Sequence, residues 1–257
     1  MTRALRIVQR NAVVYRHVWR GSLFSSFLQP TLYLMALGLG VGSLIDARRA
    51  VVVGAPSYVQ FLAPGLLAAA CMQVASFESA WPIAGKILWN RNYHAILATP
   101  LRVDDLIVGE LCWIAVRLTT VGTAFLIVAS LFHAMSIAPA TLLALAMAVL
   151  MGLAFSASIL AYAATLKNGK DFNVLFRFVV TPLFMFSGVF FPIDRLAVPL
   201  QWIAQVSPLY HGVQLVRGLT LGALSLPAAA IHLTYLLLLL IAGFAAARST
   251  FRRKLYA

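Results

Sequence analysis

The sequence predicts an all-α polytopic membrane protein: six transmembrane helices, an amphipathic interfacial helix before the first, and a re-entrant helical pair before the last. Three observations carry that reading. Apolar runs of about twenty residues, the length that crosses hydrocarbon as a helix, recur along the chain, and charged residues make up only 11% of it. The runs are continuously apolar, whereas the strands of a transmembrane barrel alternate. The basic residues behind the net charge of +13 cluster between the runs, most of them in four segments that a six-span topology places on one side, the cytosol. Nucleic-acid binding does not fit so apolar a chain.

The elements follow in order. In residues 1–20, Ala4, Leu5, Val8, Ala12, Tyr15 and Trp19 share one half of a helical wheel, and Arg3, Arg6, Arg10, His17 and Arg20 the other. Such a helix lies along the inner leaflet, apolar side in the acyl boundary and guanidinium groups among anionic headgroups. Residues 21–257 read as one six-span domain. Its spans start near Ser22, Tyr58, Leu106, Thr141, Phe172 and Ala228, and end near Ile45, Ala80, Phe132, Leu166, Phe191 and Ala247. Pro30 falls inside the first, where neighbouring helices can satisfy the freed carbonyl. Gly38 and Gly42 make a small-xxx-small face there, a common and weak sign of close helix contact. Asp46, Arg48 and Arg49 mark a short outer loop, and Lys167, Gly169 and Lys170 an inner one. An even number of spans puts both termini in the cytosol.

Two connections stand out. The cytosolic loop 81–105 holds a polar island, KILWNRNYHAILATPLRVDD, from Lys86 to Asp105. Trp89, Tyr93, Ile96 and Leu97 have the spacing of one helical face, Asn90, Arg91 and His94 point elsewhere, and Pro100 stops the helix. Two readings fit: a docking surface for a cytosolic partner, or a helix resting on the inner leaflet. The outer segment 192–227 is rich in Leu, Val, Ile, Trp and Tyr, yet Pro199 and Pro208 cut it into pieces too short to span. Two short helices dipping into the outer leaflet satisfy both facts if they are buried against protein.

Catalysis finds little support. The chain has seven acidic residues, with no facing pair for acid–base work. Six spans suit an intramembrane serine protease, but Ser156 and Ser158 lie toward the inner half of the fourth span and His232 near the outer end of the sixth. Gly85-Lys86 and Gly169-Lys170 lack the Ser or Thr of a phosphate-cradling loop, so any ATP is bound by another chain. Cys71 and Cys112 read as packing residues, and no residues have metal-ligand spacing. Three intramembrane charges remain: Glu78, Glu110 and Arg117. Glu110 and Arg117 share a face of the third span about 10 Å apart along its axis. Charges at such depth mark function by default, while the structural reading pairs Arg117 with Glu110 or with Glu78. A proton-driven transporter needs more carboxylates along its path.

The segment from Ser187 to Gly222, SGVFFPIDRLAVPLQWIAQVSPLYHGVQLVRGLTLG, resembles the signature of type-2 ABC transporter permeases: Ser187-Gly188, an aromatic–Pro step at Phe191-Pro192, Ser207-Pro208-Leu209, then Arg217 and Gly222. YVQFLAPGLLA near Tyr58, ASFES near Glu78, YHAILATPL and IVGELCW are similar to the nodulation-type lipo-oligosaccharide export branch. The resemblance implies a permease subunit that works as a dimer, with a second copy or a paralogue, on two copies of an ATPase chain. It also implies export of an amphipathic substrate (lipid, lipo-oligosaccharide or glycan, or drug) across a bacterial inner membrane. ATP and Mg would sit on the partner, with no cofactor on this chain. The polar island would be the coupling helix, with Trp89, Arg91, Tyr93, His94, Ile96 and Leu97 facing the ATPase. Family members often carry Glu where this chain has His94. A stand-alone channel or secondary transporter is the alternative, and an intramembrane enzyme the remote one.

Overall fold

A computed structural model describes residues 2–43, 55–90, 92–166, 168 and 171–256. The expected loop at Asp46, Arg48 and Arg49, together with Arg91, Lys167, Gly169 and Lys170, lies outside the described residues. All regular structure among the described residues is helical. In chain order it comprises α1 (Thr2–Tyr15), α2 (Trp19–Tyr33, passing into a π-helical stretch Leu34–Val41), α3 (Tyr58–Ala84, continued by π turns Gly85–Trp89), α4 (Asn92–Leu97), α5 (Val103–Leu131), α6 (Pro139–Thr165), α7 (Phe172–Phe186), α8 (Val198–Val206), α9 (Pro208–Thr220) and α10 (Leu226–Tyr256).

Four of these are long and apolar enough to cross a membrane: Tyr58–Trp89, Val103–Leu131, Pro139–Thr165 and Leu226–Tyr256. The first and fifth expected spans are helical too, but α2 and α7 both pass through π turns. At the centre stands α6, against which α3, α5, α9 and α10 pack. Leu62, Leu67, Met72, Ile114, Leu118, Met151 and Leu160 fill the space between them.

Several boundaries differ from expectation. The interfacial helix expected over residues 1–20 ends at Tyr15, with Trp19 already in α2, and α7 stops at Phe186 rather than near Phe191. Trp81 and Pro82 do not close the second span; α3 runs through them to Trp89. A proline inside an apolar helix removes one intrahelical bond and leaves the following turns free to continue when neighbours cover the gap. The basic tail is likewise helical, since α10 continues through Arg248, Arg252, Arg253 and Lys254 to Tyr256. Cations in a last turn favour the carbonyl end of the helix dipole.

The segment between α7 and α10 is built as two non-spanning helices, α8 of nine residues and α9 of thirteen. The residues of the family signature hold them. Gly188 takes φ +80, a left-handed conformation that suits glycine. Ser187 Oγ donates to Ser207 Oγ at 2.8 Å, and Ser207 Oγ accepts from the Leu209 amide, capping α9. Pro208 opens α9, where a missing N–H costs nothing. Arg217 donates through Nε to the Phe61 carbonyl (3.2 Å) and through Nη2 to the carbonyls of Gly188 (3.0 Å) and Val189 (3.3 Å). Its guanidinium also lies 3.8 Å from the Phe61 ring centroid. One side chain thus satisfies the open backbone of the turn and ties α9 to α3.

Replacing it tests that role. Arg217→Met keeps the length and removes every donor, at about 1–3 kcal/mol for each buried carbonyl left unpaired. The expected outcome is a marked drop in monodisperse protein and in thermal midpoint. A midpoint equal to the wild type would show that the turn stands without Arg217.

Candidate functional site

At the end of the bundle where α1 and the last turns of α10 lie, four helices meet on one carboxylate. α1 lies against α5 through Ala4, Ile7 and Asn11, all buried. Gly109 permits the approach: a Cβ there would sit 2.6 Å from Ile7 Cβ and 2.8 Å from the Ala4 carbonyl. The expected apolar half of α1 divides between protein and surroundings. Ala4 is buried, but Leu5 and Ala12 are exposed, and the face that docks on α5 includes a polar residue, Asn11.

Asn11 is there because Glu110 is opposite. Glu110, on α5, is 1% exposed. Lys86 Nζ, from the end of α3, reaches both its oxygens at 2.7 Å. Asn11 Nδ2 donates to Oε2 at 2.9 Å, and the Tyr93 hydroxyl of α4 donates to Oε1 at 2.9 Å. Lys86 also donates to Asn11 Oδ1 at 3.2 Å. A buried carboxylate needs a counter-charge and filled lone pairs, and here three different helices supply them.

Tyr93 is wholly buried. Burial first, and then the charge and hydrogen bond of Glu110, push its hydroxyl well above the usual tyrosine pKa, with Arg10 pulling weakly the other way. It stays protonated throughout the physiological range and remains the donor. Behind it lies Phe251 of α10, buried, with ring centroids 6.0 Å apart. The end of α10 is further fixed by Arg248 and Arg252 on Asp104 (2.8 and 3.5 Å) and by Lys254 on the Leu166 carbonyl (3.1 Å). The two Asp104 pairs are about half exposed and contribute little alone.

Arg117 lies two turns deeper on α5. Of the two partners expected for it, the structure selects Glu78, at 3.1 Å, while Glu110 goes to Lys86. Arg117 also donates to the Tyr15 hydroxyl at 2.6 Å and sits 4.3 Å from the Tyr15 ring centroid. Two clefts open beside it. One of ≈ 620 Å³ runs between α2, α3 and α7, past Gln29, Tyr33, Gln73, Phe176 and Phe184. The other, of ≈ 420 Å³, lies between α1, α3 and α5, past Tyr15, Phe77, Lys86 and Trp113. Gln29 Nε2 donates to Gln73 Oε1 across the first, at 3.0 Å.

The expected coupling stripe is not a single outward face. Trp89 belongs to the end of α3 and is 63% exposed, whereas Tyr93 is buried and Ile96 and Leu97 pack against the core. The i, i+4 spacing holds only within an unbroken helix, and the helix breaks at Asn90. His94 is exposed. Sequence does not place Asn11, Tyr15, Lys86 or Phe251 in a site: it puts Tyr15 on an apolar face and Lys86 at the start of the polar island. The one signal for Asn11 was its place four residues beyond Ile7 on the face that carries Ala4.

Chemically the site holds charge and transmits contact. Among the described residues no three His, Cys, Asp or Glu side chains gather to hold a metal. Ser156 and Ser158 bond to backbone carbonyls, at 3.5 and 3.1 Å, while His232 shares a 2.8 Å Nδ1–Nδ1 contact with His211. Long apolar helices, ion pairs held among them and clefts at their flanks describe a bundle of the membrane-spanning class. Residues 3–221 match the family described as ABC-2 type transporter, and the chain belongs to that family. It is 31% identical to nodulation protein J of Rhizobium leguminosarum bv. viciae, over 98% of this chain and 94% of that one. Identity to nodulation protein J of Neorhizobium galegae is 32%, over 96% and 92%. The inner membrane transport permease YadH of Escherichia coli K12 is 25% identical, over 82% and 81%.

Glu110→Gln leaves Lys86 buried without its counter-charge, at roughly 3–5 kcal/mol. The expected outcome is a strong loss of thermal stability, most of it recovered in the double variant Lys86→Met, Glu110→Gln. A double variant no more stable than the single would deny the pair its role.

Proposed function

We propose that this chain is the membrane-spanning subunit of an ATP-driven exporter that moves an amphipathic substrate (lipid, lipo-oligosaccharide or glycan, or drug) out of the cytoplasm. It works as a dimer, with a second copy or a paralogue, on two copies of an ATPase chain that carries ATP and Mg, and binds no cofactor itself. It resides in a bacterial inner membrane with six spans, α2 and α7 included, and both termini cytosolic. α8 and α9 form the re-entrant pair. The observation that carries this reading is the junction at Glu110. A six-residue cytosolic helix is hydrogen-bonded through Tyr93 to the same carboxylate that binds α1, α3 and α5.

Force applied to α4 from the cytosol acts on Tyr93, and through Glu110 it reaches α5, the end of α3 and α1 together. Arg117 and Glu78 then carry the displacement to the clefts beside α2 and α7, where amide, aromatic and apolar groups suit a substrate with a polar head and an acyl body. The similarity to nodulation protein J and the family match support transport. Export, its energy source and the substrate class are the proposal.

Copurification and turnover test it. The wild-type chain is expected to bring down a chain with a Walker-type nucleotide site and to transport at the expense of ATP. Tyr93→Phe keeps the packing and removes one hydrogen bond to a charged group, worth about 1.5–3 kcal/mol. ATP hydrolysis should persist while transport per ATP falls about tenfold or more. Transport without any nucleotide-binding partner would overturn the ATP-driven reading, and full coupling in Tyr93→Phe would remove the junction from the mechanism.

Topology is checked separately. Reporters fused at Met1 and Ala257 should both remain cytosolic, and one inserted near Arg49 should be exported. Termini on opposite sides would exclude six spans.

A further inference from the structure

The outward side of α4 carries information that its buried side does not. Tyr93, Ile96 and Leu97 turn toward the bundle, so the residues left facing out are His94, Ala95 and Ala98. Trp89 stands exposed at the end of α3, which adjoins α4. A helix that rests in a leaflet turns its bulky apolar side chains outward into the acyl boundary. This one turns them in and presents alanines, which admit the close wall of another protein.

The charge around that face is predominantly basic, with Asp104 and Asp105 as the neighbouring carboxylates. From Lys86 to Arg102 the chain holds no Asp or Glu. Arg3 donates to the Pro100 carbonyl at 2.8 Å, which fixes an exposed guanidinium at the end of the loop. Arg102 is exposed two residues further on. Arg248 and Arg252 share the single carboxylate of Asp104, leaving local charge in excess.

We propose that the partner ATPase receives this face in an acidic groove. Carboxylates on its walls oppose Arg3, Arg102 and Arg252, one lies against His94, and an apolar notch takes Trp89. The proposal rests on the ATPase partner argued above and adds the chemistry of its docking groove. Opposed charges at a rim steer association and are screened by salt, so the complex is salt-sensitive in a way that an apolar seat is not.

The experiment recombines the purified ATPase with the full-length permease in nanodiscs and measures affinity at about 50 and about 500 mM salt. One set of discs is neutral phosphatidylcholine, and the other contains anionic phosphatidylglycerol. In neutral discs affinity should fall about tenfold or more with salt. His94→Glu and Arg102→Glu should each weaken low-salt binding by about tenfold. Trp89→Ala should weaken it at both salt levels. If Arg102→Glu does not yield intact discs, Arg252→Gln beside His94→Glu carries the same test. Wild-type binding that ignores salt and both charge reversals would overturn the acidic groove while leaving the ATPase assignment intact. Charge reversals that act only in anionic discs would assign these cations to lipid and overturn it equally. A wild type that binds no ATPase at any salt would bring down the assignment and the groove together.

Discussion

The end of the bundle where α1 meets α5 depends on holding one carboxylate out of water. Moving a charge from water to a protein interior costs several kcal/mol even after relaxation, and a single counter-ion rarely recovers it unless the remaining lone pairs are also filled. Glu110 meets that condition only when Lys86, Asn11 and Tyr93 are all present. Removing any one helix takes a donor from at least one of its oxygens, so α1, α3, α4 and α5 are all tied to the same carboxylate. That also accounts for α4, whose six residues are too few for an isolated helix to persist in water. Its shape is held by Tyr93 from within.

The other end of the bundle solves the inverse problem. There the backbone is irregular and its carbonyls need donors, since lipid offers none. Arg217 supplies them to Gly188 and Val189, and its Nε reaches the Phe61 carbonyl of α3. The signature residues Ser187, Gly188, Ser207, Pro208 and Arg217 therefore describe a turn and its lock rather than a reacting or binding group. Between the two clamps the helices are less regular: α2 and α7 contain π turns, and the larger cleft beside Arg117 lies between them and α3.

Much of this was legible in the sequence, because long apolar runs, proline-cut short helices and basic clusters are one-dimensional signals. The two short helices before α10, for example, are marked by Pro199 and Pro208 in an otherwise apolar stretch. The junction was not legible. Lys86 and Glu110 are 24 residues apart on different helices, and no periodicity links such a pair. Asn11 and Glu110 are 99 apart. Sequence left Arg117 two partners, and only packing chose Glu78. The coupling stripe failed for a related reason. It assumed one helix from Trp89 to Leu97, while Pro82 failed to end α3 and Asn90 did end it, so Trp89 and Tyr93 face different directions.

The inward turn of Tyr93 changes what kind of contact can transmit movement. An apolar stripe pressed against a partner yields gradually, because dispersion contacts exchange neighbours as surfaces slide. A phenol donating to a carboxylate does not. The bond weakens steeply outside a narrow range of distance and angle, so α4 and Glu110 move as one or separate. Separation is expensive, since Glu110 would lose one of its donors while still buried. With Phe251 behind the ring, the cheaper response is for α4, α5 and the end of α10 to shift together. The Tyr93–Glu110 bond therefore joins α4 to α5 by a directional contact, where an apolar stripe would have joined them by a sliding one.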